Sequence, residues 1–141
     1  MKNNLIYGLT KLALGKDGKV MATNKYMSFA DIDEGLVVIN LNKTATEKSF
    51  LNHIRDSHGF KRAYEISPQI WSALHEVGHI KTDDFVEDNP EMRATIETLY
   101  QFGGDIDKLN KLWYEMPDEW EATEWAIDFV KRHFRLCKLL T

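Results

Sequence analysis

The sequence is poor in cysteine and proline and has no long apolar run. Its 141 residues include one cysteine, Cys137, and three prolines. A single cysteine cannot form a disulfide within the chain and excludes metal sites built from several cysteines, so we expect a reducing compartment. No segment approaches the roughly 20 apolar residues that a membrane-spanning helix needs. The apolar stretch in residues 1–14 is broken by polar residues and lacks a cleavage-site pattern, so we expect a cytoplasmic protein with no membrane association.

The composition is that of one globular domain covering residues 1–141, with 43% hydrophobic, 11% aromatic and 28% charged residues. The formal net charge of −4 is distributed unevenly. Residues 83–128 hold fourteen acidic and three basic residues, a local charge of −11. Because phosphate contacts require clustered Lys and Arg, no nucleic-acid partner is expected. The four basic residues of the C-terminal segment 129–141 are typical of the last turns of a helix.

The hydrophobic pattern predicts an α+β fold, with a small N-terminal sheet followed by a mostly helical part. Apolar, β-branched segments between turn residues predict strands over residues 20–26, 36–41 and 63–66. Helical spacing predicts helices over residues 3–14 and 48–57, the latter with Thr46 before it. From Ser67 onward the chain is predicted to be helical, with breaks near 82–89, 103–104 and 116–117, and the last helix runs from Pro117 to about Leu139.

One pentapeptide, His75-Glu76-Val77-Gly78-His79, concentrates the residues that carry chemistry. On a helix its two histidines lie one turn apart on the same face, so both imidazoles can reach one cation. Glu76 lies about 100° around the helix, beside the cation, where a carboxylate can polarise a water molecule. The HExxH spacing therefore predicts a catalytic zinc site.

The rest of this helix is apolar over most of its circumference and is predicted to be buried. Buried histidines and a buried glutamate need polar partners, and a metal ion would satisfy all three. The alternative is that the two histidines belong to the core and bond backbone carbonyls. Gly78 costs helix stability unless another element packs closely against it.

A zinc site with an open position needs a third protein ligand. The extended HExxHxxGxxH pattern is excluded because Thr82 and Phe85 occupy its Gly and His positions. In the last helix Glu119 lies on the apolar face beside Ala122 and Ala126, which makes it the best candidate. The alternative role of Glu119 is to cap its helix. Other candidate ligands are Asp83, Asp84, Glu87, Glu121 and His133.

Two segments together resemble a known family. They are His75-Glu76-Val77-Gly78-His79-Ile80 and Glu119-Trp120-Glu121-Ala122-Thr123-Glu124-Trp125-Ala126. They are similar to the ImmA/IrrE-type metallopeptidases, a compact branch of the gluzincin-like zinc peptidases, whose pattern is HELGH and then E-x-E/Q-A-N/D-x-F-A on a later helix. The resemblance implies a minimal zincin-like domain with His75, His79 and Glu119 as zinc ligands and Glu76 as general base. Thr123 stands where the family has Asn or Asp, so we expect a changed hydrogen bond to a metal ligand.

These observations predict a zinc-dependent metallopeptidase that hydrolyses a peptide bond with a metal-activated water, on a specific intracellular protein target. We expect the strand at 36–41 to offer an edge to which an extended peptide can pair. The alternative is a non-catalytic domain that keeps this fold and binds a partner protein. Candidates for stabilising the oxyanion are His53, His58, Tyr64, Tyr100 and Tyr114.

Overall fold

The computed structural model describes residues 2–42, 47–85 and 89–141 and has the predicted α+β order. The predicted helix cap Thr46 and the candidate ligand Glu87 lie outside the described residues. The elements are α1 (Lys2–Leu14), β1 (Lys19–Thr23), β2 (Phe29–Asp31), β3 (Leu36–Asn40), α2 (Glu47–Asp56), α3 (Pro68–Thr82), α4 (Pro90–Gln101), α5 (Ile106–Glu115), α6 (Pro117–Arg132) and α7 (Phe134–Leu139), with 3-10 turns at Ala63–Glu65 and Asp83–Phe85. Within these described ranges, no helix is both long and apolar enough to cross a membrane.

The three strands form one sheet in the order β1-β3-β2. β3 pairs parallel to β1 and antiparallel to β2, so that Val37 lies opposite both Val20 and Ala30. Because β3 has a neighbour on each side, the prediction that residues 36–41 form a free edge is wrong. The edge next to α3 is instead β2, a strand of three residues that the sequence pattern did not indicate.

The predicted strand over residues 63–66 is also wrong, because Ala63–Glu65 forms a 3-10 turn. The carbonyl oxygen of Ala63 accepts a hydrogen bond from the indole N–H of Trp71 (2.8 Å), which ties the turn to α3. The predicted single helix from Pro117 to Leu139 is interrupted at His133, whose φ of −125° and ψ of 35° are not helical. α7 continues beyond this break and places Cys137 in the core as a buried free thiol.

Helix α3 runs through the centre of the main hydrophobic core, as its apolar circumference predicts. It begins at Pro68, after Ser67, whose hydroxyl accepts a hydrogen bond from the Ile70 N–H (3.4 Å). Its buried apolar side chains are Ile70, Trp71, Ala73, Leu74 and Val77. A second, smaller core joins α4 to α5 through Ile96, Leu109 and Met116.

Candidate metal centre

The two histidines of the pentapeptide point toward a single carboxylate oxygen on another helix. His75 Nε2 lies 2.7 Å and His79 Nε2 lies 3.0 Å from Oε2 of Glu119. Glu119 lies in the first turn of α6 and is only 4% exposed. The structure therefore brings together the three residues that the sequence singled out as ligands. The histidines are thus paired with side chains and not with backbone carbonyls, and Glu119 points to the histidines and makes no cap hydrogen bond.

Close packing of α3 against α6 makes this convergence possible. A Cβ atom added at Gly78 would lie 2.3 Å from the carbonyl oxygen of Ala122 and 2.9 Å from its Cα. Only glycine fits at such a distance from a backbone, which explains a residue that otherwise weakens a helix interior. The small residues at 78 and 122 thus set the distance between the histidines on α3 and Glu119 on α6.

Thr123 on α6 is hydrogen-bonded to His75, one of the candidate ligands. Its hydroxyl donates to the backbone carbonyl of Glu119 (3.0 Å) and accepts a hydrogen bond from Nδ1–H of His75 (2.9 Å). Because the Thr123 hydroxyl already donates to the Glu119 carbonyl, it accepts from Nδ1–H of His75, which fixes the orientation of the ring and directs Nε2 toward Glu119. Thr123 is fully buried, so this hydrogen bond is not in competition with water.

Arg93 completes the centre and was missed by the sequence reasoning. Its Nη1 lies 3.1 Å from Oε1 of Glu119, and its Nη2 is paired with Asp118. The guanidinium also lies over the ring of Trp113, 4.6 Å from the ring centroid. Arg93 therefore holds one oxygen of Glu119 while the other faces the histidines. The feature of the sequence that could have indicated Arg93 is its positive charge, because residues 83–128 contain only three basic residues beside fourteen acidic ones.

The charges of the centre shift the pKa values of its members. Burial alone would raise the pKa of Glu119, but hydrogen bonds from His75 and His79 hold it well below its usual range. Burial alone would lower the pKa of His79, but its hydrogen bond to Glu119 and nearby carboxylates raise it to about 9. Burial raises the pKa of Glu76 against the opposing charges of both histidines. Glu76 is thus the acidic group of the centre whose proton affinity is increased.

Two overlapping groups of donor atoms could hold a metal ion. In each group the ligand atoms lie within 4.8 Å of one another, and the groups are His75, Glu76 and His79, and His79, Asp118 and Glu119. All of these side chains line one cavity of about 610 Å³, which β2, α3 and residues of α2, α4 and α5 enclose. A cation held there would be accessible to a ligand that enters the cavity.

The other candidate ligands lie elsewhere. Asp83 and Asp84 are exposed in the 3-10 turn after α3, and neither lines the cavity. Glu121 lies on α6 outside the cavity, and His133 is exposed at the break between α6 and α7. None of these four residues is close to the paired histidines in the way that Glu119 is.

Of the candidate oxyanion donors, Tyr100 and Tyr114 line the cavity. Tyr64 is exposed, and its hydroxyl donates to Oδ1 of Asn52. His53 and His58 do not line the cavity and face each other, with 3.1 Å between their Nε2 atoms.

The side chains of His53 and His58 form a buried pair outside the cavity lining. Nδ1 of His58 lies 3.5 Å from Oε1 of Glu124 on α6, and its ring stacks on that of Trp120 with centroids 3.7 Å apart. Burial is the main cause that lowers the pKa of each histidine to about 4. Repulsion from the positive charges of His58, His75 and Lys111 adds to this effect for His53, and repulsion from His75 adds to it for His58. Both rings are therefore neutral near pH 7.

No protein-family model, no curated protein and no solved structure matches the chain.

Proposed function

We propose that the protein is a zinc-dependent metallopeptidase in which His75, His79 and Glu119 hold the metal and Glu76 is the general base. The observation that carries this proposal is the approach of both Nε2 atoms to one buried oxygen of Glu119, at the wall of an open cavity. The proposal includes a distant relationship to the ImmA/IrrE-type peptidases, supported by the two segments that resemble their pattern. The substrate is proposed to be a protein or peptide.

The donor set fits zinc. Two imidazole nitrogens and one carboxylate oxygen, with a fourth position open, are the ligands of many catalytic zinc sites. Ligands of a tetrahedral zinc ion are about 3.3 Å apart, given bonds of roughly 2.0–2.1 Å. The Nε2–Oε2 distances of 2.7 and 3.0 Å are slightly shorter, so small side-chain rotations suffice. Protons held at these nitrogens in the metal-free protein would leave when a cation binds.

Zinc, when bound, supplies Lewis-acid chemistry that acidifies water and polarises a carbonyl group. The carboxylate of Glu76, which lines the cavity next to both histidines, takes the proton of the attacking water. The same carboxyl group then passes that proton to the departing amine nitrogen. Thr123 keeps the ring of His75 in orientation, and Arg93 keeps Glu119 in orientation.

An extended substrate can pair with β2. Phe29 and Ala30 of this edge strand line the cavity, and the strand lies beside α3. Backbone groups on the open side of β2 can therefore hold a peptide next to Glu76. This replaces the pairing with residues 36–41 that the sequence predicted.

The alternative of a non-catalytic interaction domain gains no support from Thr123. The departure from Asn or Asp would favour that alternative if it removed a hydrogen bond to a proposed ligand, yet the Thr123 hydroxyl still accepts from His75. A site that only binds a structural metal also has no need of a carboxylate such as Glu76 beside the open position.

The test compares the wild type with Glu76→Gln, and with Glu121→Gln as the matched control outside the cavity. Each protein is loaded with zinc and incubated with a synthetic peptide library, and new termini are read by mass spectrometry. We expect Glu76→Gln to keep stoichiometric zinc and to lose turnover by about 10²–10⁴-fold, while the control keeps both. Wild-type turnover in Glu76→Gln would overturn the role of this base. A wild type that binds no zinc would overturn the enzyme proposal itself.

A further inference from the structure

The cavity extends from the metal centre along a wall of four aromatic rings, those of Phe50, Tyr100, Trp113 and Tyr114. The wall begins at a proposed ligand, because the edge of Phe50 contacts His75 with ring centroids 5.3 Å apart. Phe50 also stacks on Tyr114, with centroids 5.4 Å apart and an interplanar angle of 30°. A side chain next to the reacting bond would therefore meet aromatic surface.

Polar groups along this wall already have partners within the protein. The hydroxyl of Tyr100 donates to Oδ1 of Asn110 (2.5 Å), and Nδ2 of Asn110 donates to the hydroxyl of Ser49 (3.2 Å). Burial, with the neighbouring Tyr114, raises the pKa of Tyr100 to about 12, so this phenol is neutral. Arg93 is paired with Glu119 and lies over the Trp113 ring. Ring faces are thus the main surface that the wall offers.

A second part of the cavity lining, in and around β2, is apolar as well. Met27, Phe29 and Ile32, in and around β2, line the cavity and are exposed to solvent in the free protein. Large apolar side chains gathered at one concave surface usually mark a binding site. A side chain inserted between β2 and the aromatic wall would bury these residues together with its own apolar surface.

We infer that this pocket binds a large apolar side chain, preferably aromatic, of the substrate residue adjacent to the hydrolysed bond. The inference rests on the proposed function and adds the specificity to it. An aromatic side chain gains from leaving water and from contact with the rings. A charged side chain would lose its hydration, because the buried charges of the cavity lining, Arg93, Asp118 and Glu119, are paired with one another. Glu97 also lines the cavity, but it is exposed to water and would add little to the binding of a cation.

The test uses four dipeptide hydroxamates that differ in one side chain, benzyl, methyl, aminobutyl or carboxymethyl, titrated by calorimetry into the zinc-loaded full chain. A hydroxamate anchors at a zinc ion, so binding reports on the pocket without requiring turnover. We expect the benzyl compound to bind at least tenfold more tightly than the methyl compound, and the two charged compounds to bind more weakly than the methyl one.

A charge placed in the wall should change this order. Asn110→Asp adds a negative charge in nearly the same shape and should reduce the preference for benzyl over aminobutyl at least tenfold. Asn52→Asp is the matched control, since Asn52 also accepts a hydrogen bond from a tyrosine hydroxyl but does not line the cavity. It should leave all four affinities unchanged.

The outcomes separate this inference from the proposed function. Equal affinities of the four compounds, or tightest binding of the aminobutyl compound to the wild type, would overturn the inference and leave the zinc centre standing. An absence of zinc-dependent binding by any of the compounds would overturn the proposed function, and the pocket's role with it.

Discussion

Replacing Gly78 with alanine tests whether the contact between α3 and α6 builds the metal centre. The added Cβ would lie 2.3 Å from the carbonyl oxygen of Ala122 and 2.9 Å from its Cα. Both are backbone atoms, so no change of side-chain rotamer relieves the clash. The helices must separate by about 1 Å to restore an ordinary C···O distance of about 3.3 Å.

The expected loss follows from two opposing effects. Alanine in a helix interior is intrinsically better than glycine by about 1 kcal/mol, whereas overpacking typically costs about 1–3 kcal/mol. Because the clash is with backbone, we expect the cost to be at the upper end, a net loss of about 2 kcal/mol. The same displacement moves the backbone of Glu119 away from the histidines by about 1 Å, several times the roughly 0.2 Å within which zinc–ligand distances normally fall. Zinc affinity should therefore fall about 100-fold or more.

The assay combines urea unfolding of the metal-free protein, followed by tryptophan fluorescence, with zinc titration against a competing chelator. Gly8→Ala is the control, since Gly8 lies in α1 and nothing would lie within 4 Å of its added Cβ. We expect it to raise the free energy of unfolding by about 0.5–1 kcal/mol and leave zinc affinity unchanged. A Gly78→Ala protein as stable as the wild type, with undiminished zinc affinity, would refute the reasoning.

Three further predictions concern the residues around the centre. Thr123→Val should reduce zinc affinity about 10–100-fold because the ligand imidazole loses its acceptor, and Thr123→Ser should not; equal loss in both, measured by chelator competition, would count against the hydrogen bond. Arg93→Met should lower the free energy of unfolding of the metal-free protein by about 2 kcal/mol in urea, because Glu119 loses a cation, and Arg93→Lys should lose less. Burial lowers the pKa values of His53 and His58 to about 4. Their contribution to the free energy of unfolding should therefore be complete above about pH 6.5 and should be lost as the pH falls toward 4. The wild type should lose a few kcal/mol over this range in urea unfolding, and His58→Gln less; identical pH profiles would contradict this assignment.

The sequence indicated the candidate metal centre because two residues there are unusual for the helix positions they occupy. Glu119 is a carboxylate on an apolar helix face, and Gly78 is a glycine within a helix interior. Each residue is explained by a partner on another helix, and the helical period shows which face of its own helix points toward that partner. The structure pairs Glu119 with the histidines and Gly78 with Ala122.

The parts that were not predicted depend on contacts that local sequence does not encode. β2 has three residues and exists through its pairing with β3, so no periodicity reveals it. The run at 63–66 is too short to distinguish a strand from a turn, and its hydrogen bond to Trp71 decides between them. The break at His133 contains neither proline nor glycine. Arg93 on α4 reaches Glu119 on α6 through tertiary folding, because the two residues are 26 positions apart in the chain.

The most direct measurement is the zinc content and affinity of Glu119→Ala beside the wild type and Glu121→Ala. Glu121 is on the same helix but outside the cavity, so its replacement controls for the loss of one carboxylate. Elemental analysis after dialysis, with chelator competition for affinity, should give one zinc per chain for the wild type and for Glu121→Ala. Glu119→Ala should lose zinc or bind it at least 100-fold more weakly. Full zinc content with wild-type affinity in Glu119→Ala would show that the metal, if any, is held by other residues.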